Sequence, residues 1–480
     1  MAARSFLTMR RPLQLSAFSP LPLSRGAISF SRTAPKSNPL LRNLPRHSST
    51  LEDLTVVTIN PGPPGQYEFM DDSIESLDRY IPGGYHPIAI GDLLNNRYRI
   101  VHKLGYGGYS TTWISRDEQK ATYAAVKVKT ADSTPREADV LRTIASSSSH
   151  LDHPGRPMIP RIHDQFELQG PNGRHICYVM DLAQCSVADA TFWELFSIET
   201  ARSLAAQLVL AVAYLHKLGI VHGNIHPNNV LIRLLTNLDQ LSVKELYEKF
   251  EAPLTEPVVR RDAGPLPAGV PSHGTFPIWL GKGANEMPPS EARLILSDFG
   301  ESFRPSDPSQ QVLGEECLSH LAYLPPEAHF ELKKPISYPS DIWELACTVW
   351  SILASQDLFY SMLATSDYIC KQQIDILGPL PPEWWTAWEA RPRYYDESGQ
   401  PTPGSAYPTL SQLFVQDIQM RRLEGGKRGF DTEEALAFVD MIRSMLAFRP
   451  EQRATIETVL ASDWMTKWGL PEFQKLPPAK

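Results

Sequence analysis

No run of 18 apolar residues occurs among the 480, so no membrane-spanning helix is expected. Cysteine is scarce. The five cysteines, Cys177, Cys185, Cys317, Cys347 and Cys370, are odd in number, scattered and without a C-x-x-C pair. That usage excludes a disulfide framework and a cysteine zinc site, and it fits a reducing compartment. Basic residues do not dominate either: 46 Lys and Arg against 54 Asp and Glu give a formal net charge of -8. Nucleic-acid affinity rests on clustered cations, so no direct nucleic-acid partner is expected. With 42% hydrophobic and 21% charged residues the chain is neither disordered nor fibrous. It is long enough for one large domain or two ordinary ones.

Acidic residues are absent from positions 1–51, which carry Arg4, Arg10, Arg11, Arg25, Arg32, Lys36, Arg42, Arg46 and nine serines. This is the composition of a mitochondrial transit peptide. A plain basic leader, with the protein in cytoplasm or nucleus, is the alternative. Pro12, Pro20 and Pro22 leave no secretory h-region and confine any amphipathic helix to Ala2–Arg11. Without the leader, 54 acidic residues face 46 − 8 = 38 basic ones, a net charge of -16. An extension over 52–96 follows.

From Tyr98 the pattern becomes strand-like. Y-R-I-V-H-K-L-G (98–105), T-T-W-I-S-R-D (111–117) and T-Y-A-A-V-K-V (122–128) alternate apolar and polar residues between turn residues, which predicts an antiparallel sheet. Leu204, Leu208, Ala211, Val212 and Leu215 predict a helix over 200–216, and further helices are expected over 340–354 and 433–447. The fold class is α+β: a small β lobe over 97–183 and a larger, mainly helical lobe over 184–475. The stretch 234–290 holds the charged piece V-K-E-L-Y-E-K-F-E and eight prolines from Pro253 to Pro289. It reads as an inserted surface segment.

Gly105-Tyr-Gly107-Gly-Tyr-Ser110 joins two strands. Glycines there let backbone N–H groups approach phosphate oxygens, although an ordinary hairpin turn has the same signature. Lys127 on the third strand suits the α- and β-phosphates, and Glu137 ten residues on is placed to pair with its ammonium. Far downstream come His222-Gly223-Asn224-Ile225-His226-Pro227-Asn228-Asn229 and Ser297-Asp298-Phe299-Gly300, then Pro325-Pro326-Glu327, Asp341-Ile342-Trp343 and Arg453.

This ordered series resembles the protein-kinase signature set: glycine-rich loop, strand lysine, helix glutamate, catalytic loop, D-F-G, A-P-E, D-x-W and a late arginine. Gly83-Gly84-Tyr85-His86-Pro87, with Ile90-Gly91-Asp92 and Arg97-Tyr98, is similar to the entry to the SR-protein kinases, and Trp384–Arg391 looks like their fungal relatives. A bilobal kinase fold is implied, acting as a monomer on ATP with Mg2+. By this resemblance the cofactor-binding residues are Gly105, Gly107, Ser110, Ala125, Lys127, Met180, Asp181, Ala183 and Leu231. Met180 stands at the gatekeeper and Asp181–Ala183 at the hinge, while Asn229 and Asp298 hold the metal. The catalytic set is Lys127, Glu137, Asn224 and His226.

Thr112 and Gly223 depart from the family's usual Val and Arg, and two further departures bear on the chemistry. Asn224 replaces the Asp that orients and deprotonates the substrate hydroxyl, and an amide is no base at neutral pH. His226 replaces the Lys that steadies the transferred phosphoryl group. The resemblance therefore implies a slow serine/threonine kinase with protein substrates, Arg/Ser-rich ones in that family. The alternative is an ATP-binding pseudokinase serving as scaffold. A small-molecule phosphotransferase with an H-G-D loop ranks below both, because Glu327, Asp341-Ile342-Trp343 and Arg453 belong to a peptide-binding lobe.

Overall fold

The computed structural model describes residues 66–68 and 73–477, apart from 148, 149, 193 and 361–363. The leader expected over 1–51 lies outside the described residues. Tyr67–Glu68 (β1) comes first, followed by Leu93–Leu94 (β2), Tyr98–Gly107 (β3), Ser110–Asp117 (β4), Thr122–Lys129 (β5), Asp164–Gly170 (β6) and Gly173–Met180 (β7). Six of these make an antiparallel sheet in the order β2-β3-β4-β5-β7-β6, so the sheet draws Leu93 and Leu94 from the extension. The two-residue period divides its faces. Ile100, Trp113, Val126, Val128 and Val179 pack into one apolar cluster, whereas Lys127 and Lys129 take the opposite face. The register shifts between Ile100 and His102 and again between Lys103 and Gly105, re-aiming β3 just before the glycine-rich turn. The helix Arg136–Ser146 (α1) buries Glu137, Ala138, Leu141 and Ile144.

Below the sheet, Ala183–Ser186 (β8) and the short helix Val187–Ala190 (α2) lead into Ile198–Lys217 (α3). Ser197 caps α3 by accepting from the Thr200 N–H. This helix is long and apolar enough to cross a membrane, but 94% of that stretch is buried inside the lobe, which makes it the core helix. The strand Val230–Arg233 (β9) follows the catalytic loop.

The stretch 234–290 contains the helix Val243–Phe250 (α4), where Ser242 and Glu245 form a capping box, and the strands Thr255–Pro257 (β10), Val259–Arg260 (β11) and His273–Thr275 (β12). It is more than a surface excursion. Leu238, Leu246 and Leu280 are buried against Val101, Ile114 and Tyr123 of the upper sheet. Tyr247 donates its hydroxyl to the Val101 carbonyl (2.8 Å), Ile278 N–H donates to the Lys103 carbonyl (2.8 Å), and the Asp239 carboxylate accepts from Tyr123 N–H (2.7 Å). A second group of anchors, Val258 and Val270, packs on Tyr67, Ile74, Leu77, Tyr80 and Tyr85 of the extension, and β11 pairs with β1. Single apolar residues spaced by prolines carry this packing, and they leave no period in the sequence.

Leu294–Leu296 (β13) then closes a three-stranded sheet in the order β13-β9-β8. The helices Pro326–Phe330 (α5) and Tyr338–Ala354 (α6) complete the part of the lower lobe that faces the site. Trp343, Trp350, Phe438 and Trp464 are buried around α6 and α3. The expected helix over 433–447 is observed at Thr432–Met445.

Leu246 is fully buried between the insertion and the upper sheet. Leu246→Ala is predicted to cost about 2–5 kcal/mol of unfolding free energy, read by denaturant or thermal unfolding. A loss of less than about 0.5 kcal/mol would mean that the insertion does not pack as described.

Candidate functional site

Three elements meet at one ammonium group. Lys127 on β5 donates to both carboxylate oxygens of Glu137 on α1 (2.7 and 2.9 Å) and to Asp298 Oδ1 (2.8 Å). Burial alone would pull the Lys127 ammonium toward neutrality, but the two carboxylates outweigh it and its pKa is raised. Lys127 in turn is the main reason that the Asp298 carboxyl lies well below the usual carboxylate range. Asp298 stands in the left-handed region (φ 66°, ψ 75°), a conformation that a non-glycine residue holds only when its surroundings impose it. Lys129, two positions along the same strand face, adds a cation 3.5 Å from Glu137 Oε2. Strand alternation from Lys127 was the signal that could have found it.

The catalytic loop is held from below. Asp341 at the start of α6 accepts from the N–H groups of His222 and Gly223 (2.8 Å each) and from His216 Nε2 (2.9 Å). Glu344, one turn on, accepts from Ile225 N–H (2.6 Å), and the Thr348 hydroxyl donates to the Ile225 carbonyl (3.1 Å). His222 lies edge-on to Phe299 at 4.9 Å, and its Nε2 bonds the Ser297 carbonyl (3.1 Å). Since Nδ1 accepts from Asn224 N–H (3.3 Å), the network assigns the neutral Nε2–H tautomer, and burial lowers the His222 pKa accordingly. Gly223 has φ +77°, and a Cβ there would sit 2.9 Å from the Glu301 carbonyl oxygen.

Asn224 and Asn229 face one another through the backbone: Asn229 Nδ2 donates to the Asn224 carbonyl (3.0 Å). His226 lies 5.9 Å from the Tyr323 ring, and burial, with smaller repulsion from His222 and His320, lowers its pKa to about 4. It is neutral at pH 7, so it does not replace the charge of a lysine. On the lower lobe, Arg453 forks onto Glu327 (2.9 and 2.8 Å), anchoring the segment that ends at α5.

The residues expected around a nucleotide base lie on strands of the two sheets. Ala125 is paired in register with Met180 across β5 and β7, Ala183 opens β8, and Leu231 lies on β9 opposite Ser186 and Ile295. Asp181 accepts from His163 (2.6 Å) and Arg233 (3.0 Å), and the His163 bond is the chief cause of its lowered pKa. Its side chain thus ties the hinge to both lobes. Gly105 and Gly107 end β3, and Ser110 starts β4 opposite Gly107. Leu104 and Leu182 pack in one cluster with Leu280 of the insertion, a contribution that sequence patterning did not signal.

The donor set fits a hard divalent cation, since Asp298 offers a carboxylate and Asn229 an amide oxygen. Among the described residues no cluster of three His, Cys, Asp or Glu forms a self-contained metal site. Any metal held by Asp298 and Asn229 would take its remaining ligands from substrate phosphates or water.

The protein kinase domain family matches residues 98–242 and 282–465, leaving the body of the insertion unmatched. A serine/threonine protein kinase of Aspergillus fumigatus is 25% identical over 426 residues, 84% of this chain and 96% of its own length. The serine/threonine-protein kinase SRPK of Physarum polycephalum is 25% identical over 430 residues, 85% of this chain and 94% of its own. SRSF protein kinase 3 of Homo sapiens is 32% identical over 171 residues, 34% of this chain and 30% of its own. The chain belongs to the protein kinase family, as a serine/threonine protein kinase similar to the SR-protein kinases.

Proposed function

We propose that this kinase binds Mg-ATP between its lobes and transfers the γ-phosphoryl group slowly to serine or threonine hydroxyls of basic protein segments. The cluster of Lys127, Glu137 and Asp298 carries the reading, because it supplies a fixed cation for phosphates and a carboxylate for magnesium in one place. Ala125 and Leu231 would sandwich the adenine, Met180 would back it, and the backbone of Asp181–Ala183 would meet its edge. Magnesium, held by Asp298 and Asn229, would neutralise charge on the phosphates. Asn224 would orient the incoming hydroxyl by hydrogen bonding without taking its proton.

Phosphoryl transfer depends mainly on positioning and charge neutralisation, which is why a chain without the catalytic Asp retains a route to products. The neutral state of His226 favours a second reading, an ATP-binding pseudokinase, since neither Asn224 nor His226 contributes charge at pH 7. Substrates rich in Arg and Ser are supported by the net charge of -16 outside the leader (54 acidic against 38 basic) and by relatives named as SRSF kinases. The leader composition supports a mitochondrial address, and fusion of residues 1–51 to a fluorescent reporter tests it: reporter spread through the cytoplasm would end that reading.

Two measurements test the chemistry. With purified full-length chain, Mg-ATP and an Arg/Ser-rich peptide, Asn224→Asp is predicted to raise the turnover by roughly 10²- to 10⁴-fold, or about 3–5.5 kcal/mol of barrier. A wild-type rate at background with an active Asn224→Asp favours the pseudokinase, and no gain from Asn224→Asp overturns the reading of that position. The second is a pH profile. A base whose pKa is depressed to about 4 is already unprotonated above pH 5, so His226 is predicted to leave the rate flat between pH 6 and 8. A limb near pH 6.5 that disappears in His226→Gln would show instead that the histidine titrates normally and takes part.

A further inference from the structure

The turn Gly83-Gly84-Tyr85 grips the glycine-rich loop. Tyr85, only 3% exposed, donates its hydroxyl to the Gly107 carbonyl at 2.7 Å. Arg79 donates from Nη1 to the next carbonyl, that of Gly108. Its guanidinium lies 5.1 Å from the Tyr85 ring centre and 5.7 Å from that of Tyr109, so one cation joins the gripping tyrosine to the loop tip.

The turn is shaped for this contact. Gly83 has φ +91°, and a Cβ on Gly84 would lie 1.8 Å from the Arg79 carbonyl oxygen, so neither position accepts another residue without rearrangement. Gly83 N–H donates to the Asn172 carbonyl (2.8 Å), while Ala131 and Asp132 N–H donate to the Gly84 and Gly83 carbonyls (3.0 and 2.8 Å). The buried Asn172 amide then bridges the Tyr85 carbonyl to the Gly269 carbonyl of the insertion, 2.7 Å to each. The grip is therefore anchored to the sheet, to the stretch after β5 and to the insertion.

Gly107 and Gly108 are exposed, and glycine loses more backbone freedom on being ordered than any other residue. A loop that must order around phosphates loses affinity to that entropy unless something orders it beforehand. A trans peptide also places its C=O and N–H on opposite sides. Holding the Gly107 and Gly108 carbonyls from one side turns the N–H groups of Gly108 and Tyr109 to the other. No described residue accepts from these two N–H groups.

We propose that Tyr85 and Arg79 are positioning residues that pre-order the glycine-rich loop to receive the phosphates of a nucleoside triphosphate. This rests on the nucleotide reading of the cleft. The test uses the full-length chain and compares Mg-ATP with adenosine, which keeps the base but has no phosphates. Tyr85→Phe removes one oxygen, and loss of one hydrogen bond is predicted to weaken Mg-ATP binding roughly fivefold, with adenosine binding and the thermal transition unchanged. Arg79→Gln is predicted to act in the same direction and serves if Tyr85→Phe folds poorly. Equal weakening of ATP and adenosine would mean that the turn only supports the fold, and unchanged ATP binding in both variants would overturn the proposal. A wild-type chain that binds adenosine but not Mg-ATP would overturn the clamp alone; one that binds neither would overturn the nucleotide reading with it.

Discussion

One buried ammonium group sets the geometry of the cleft. Lys127 is 8% exposed and has Glu137 from α1 and Asp298 from the segment after β13 within hydrogen-bond distance. In the buried Lys127–Glu137 pair a lone charge is costly, and removing one partner of such a pair typically costs about 3–5 kcal/mol, whereas Asp298, with its side chain 41% exposed, adds less. The strand, the helix and the D-F-G segment are thus tied to a common point, and the left-handed backbone at Asp298 is the local strain that this arrangement imposes. Asp341 and Glu344 do the same for the catalytic loop, accepting the N–H groups of His222, Gly223 and Ile225 from beneath.

Around that centre the upper sheet is wrapped by pieces remote in sequence. Residues 234–290 leave the lower lobe between β9 and β13 and bury Leu238, Leu246 and Leu280 on the sheet, while Tyr80 and Tyr85 of the extension pack with Val258 and Val270 of the same insertion. Lys103 on β3 is fully buried and pairs with Glu75 of the extension, to which Tyr80 also donates. Such a pair is a poor source of net stability but a strict condition on register, since a one-residue slip of β3 would strand both charges.

Much of this was legible in the sequence, for identifiable reasons. The three strands over 98–129 and the core helix at 198–217 follow periods of two and 3.6, and both appear within a few residues of their expected ends. The Lys127 to Glu137 contact spans ten residues of strand, turn and helix, so its spacing is nearly local. The insertion was not readable as packing, because its anchors are isolated leucines and valines among prolines. Tyr85 reaches Gly107 across 22 positions through a close backbone approach that no propensity encodes. From the sequence alone His226 has only a histidine's ordinary pKa near neutrality. Only its burial beside Tyr323, with two further histidines near, reveals that it is kept neutral.

The proposed Mg-ATP site requires Lys127 as its phosphate cation. Calorimetric titration of Mg-ATP into the full-length chain and into Lys127→Ala, each first shown to be folded by its thermal transition, tests this directly. The wild type is predicted to bind, and the variant to bind at least roughly tenfold more weakly, equivalent to about 1.4 kcal/mol of lost interaction. Equal affinity of the two proteins for Mg-ATP would contradict it.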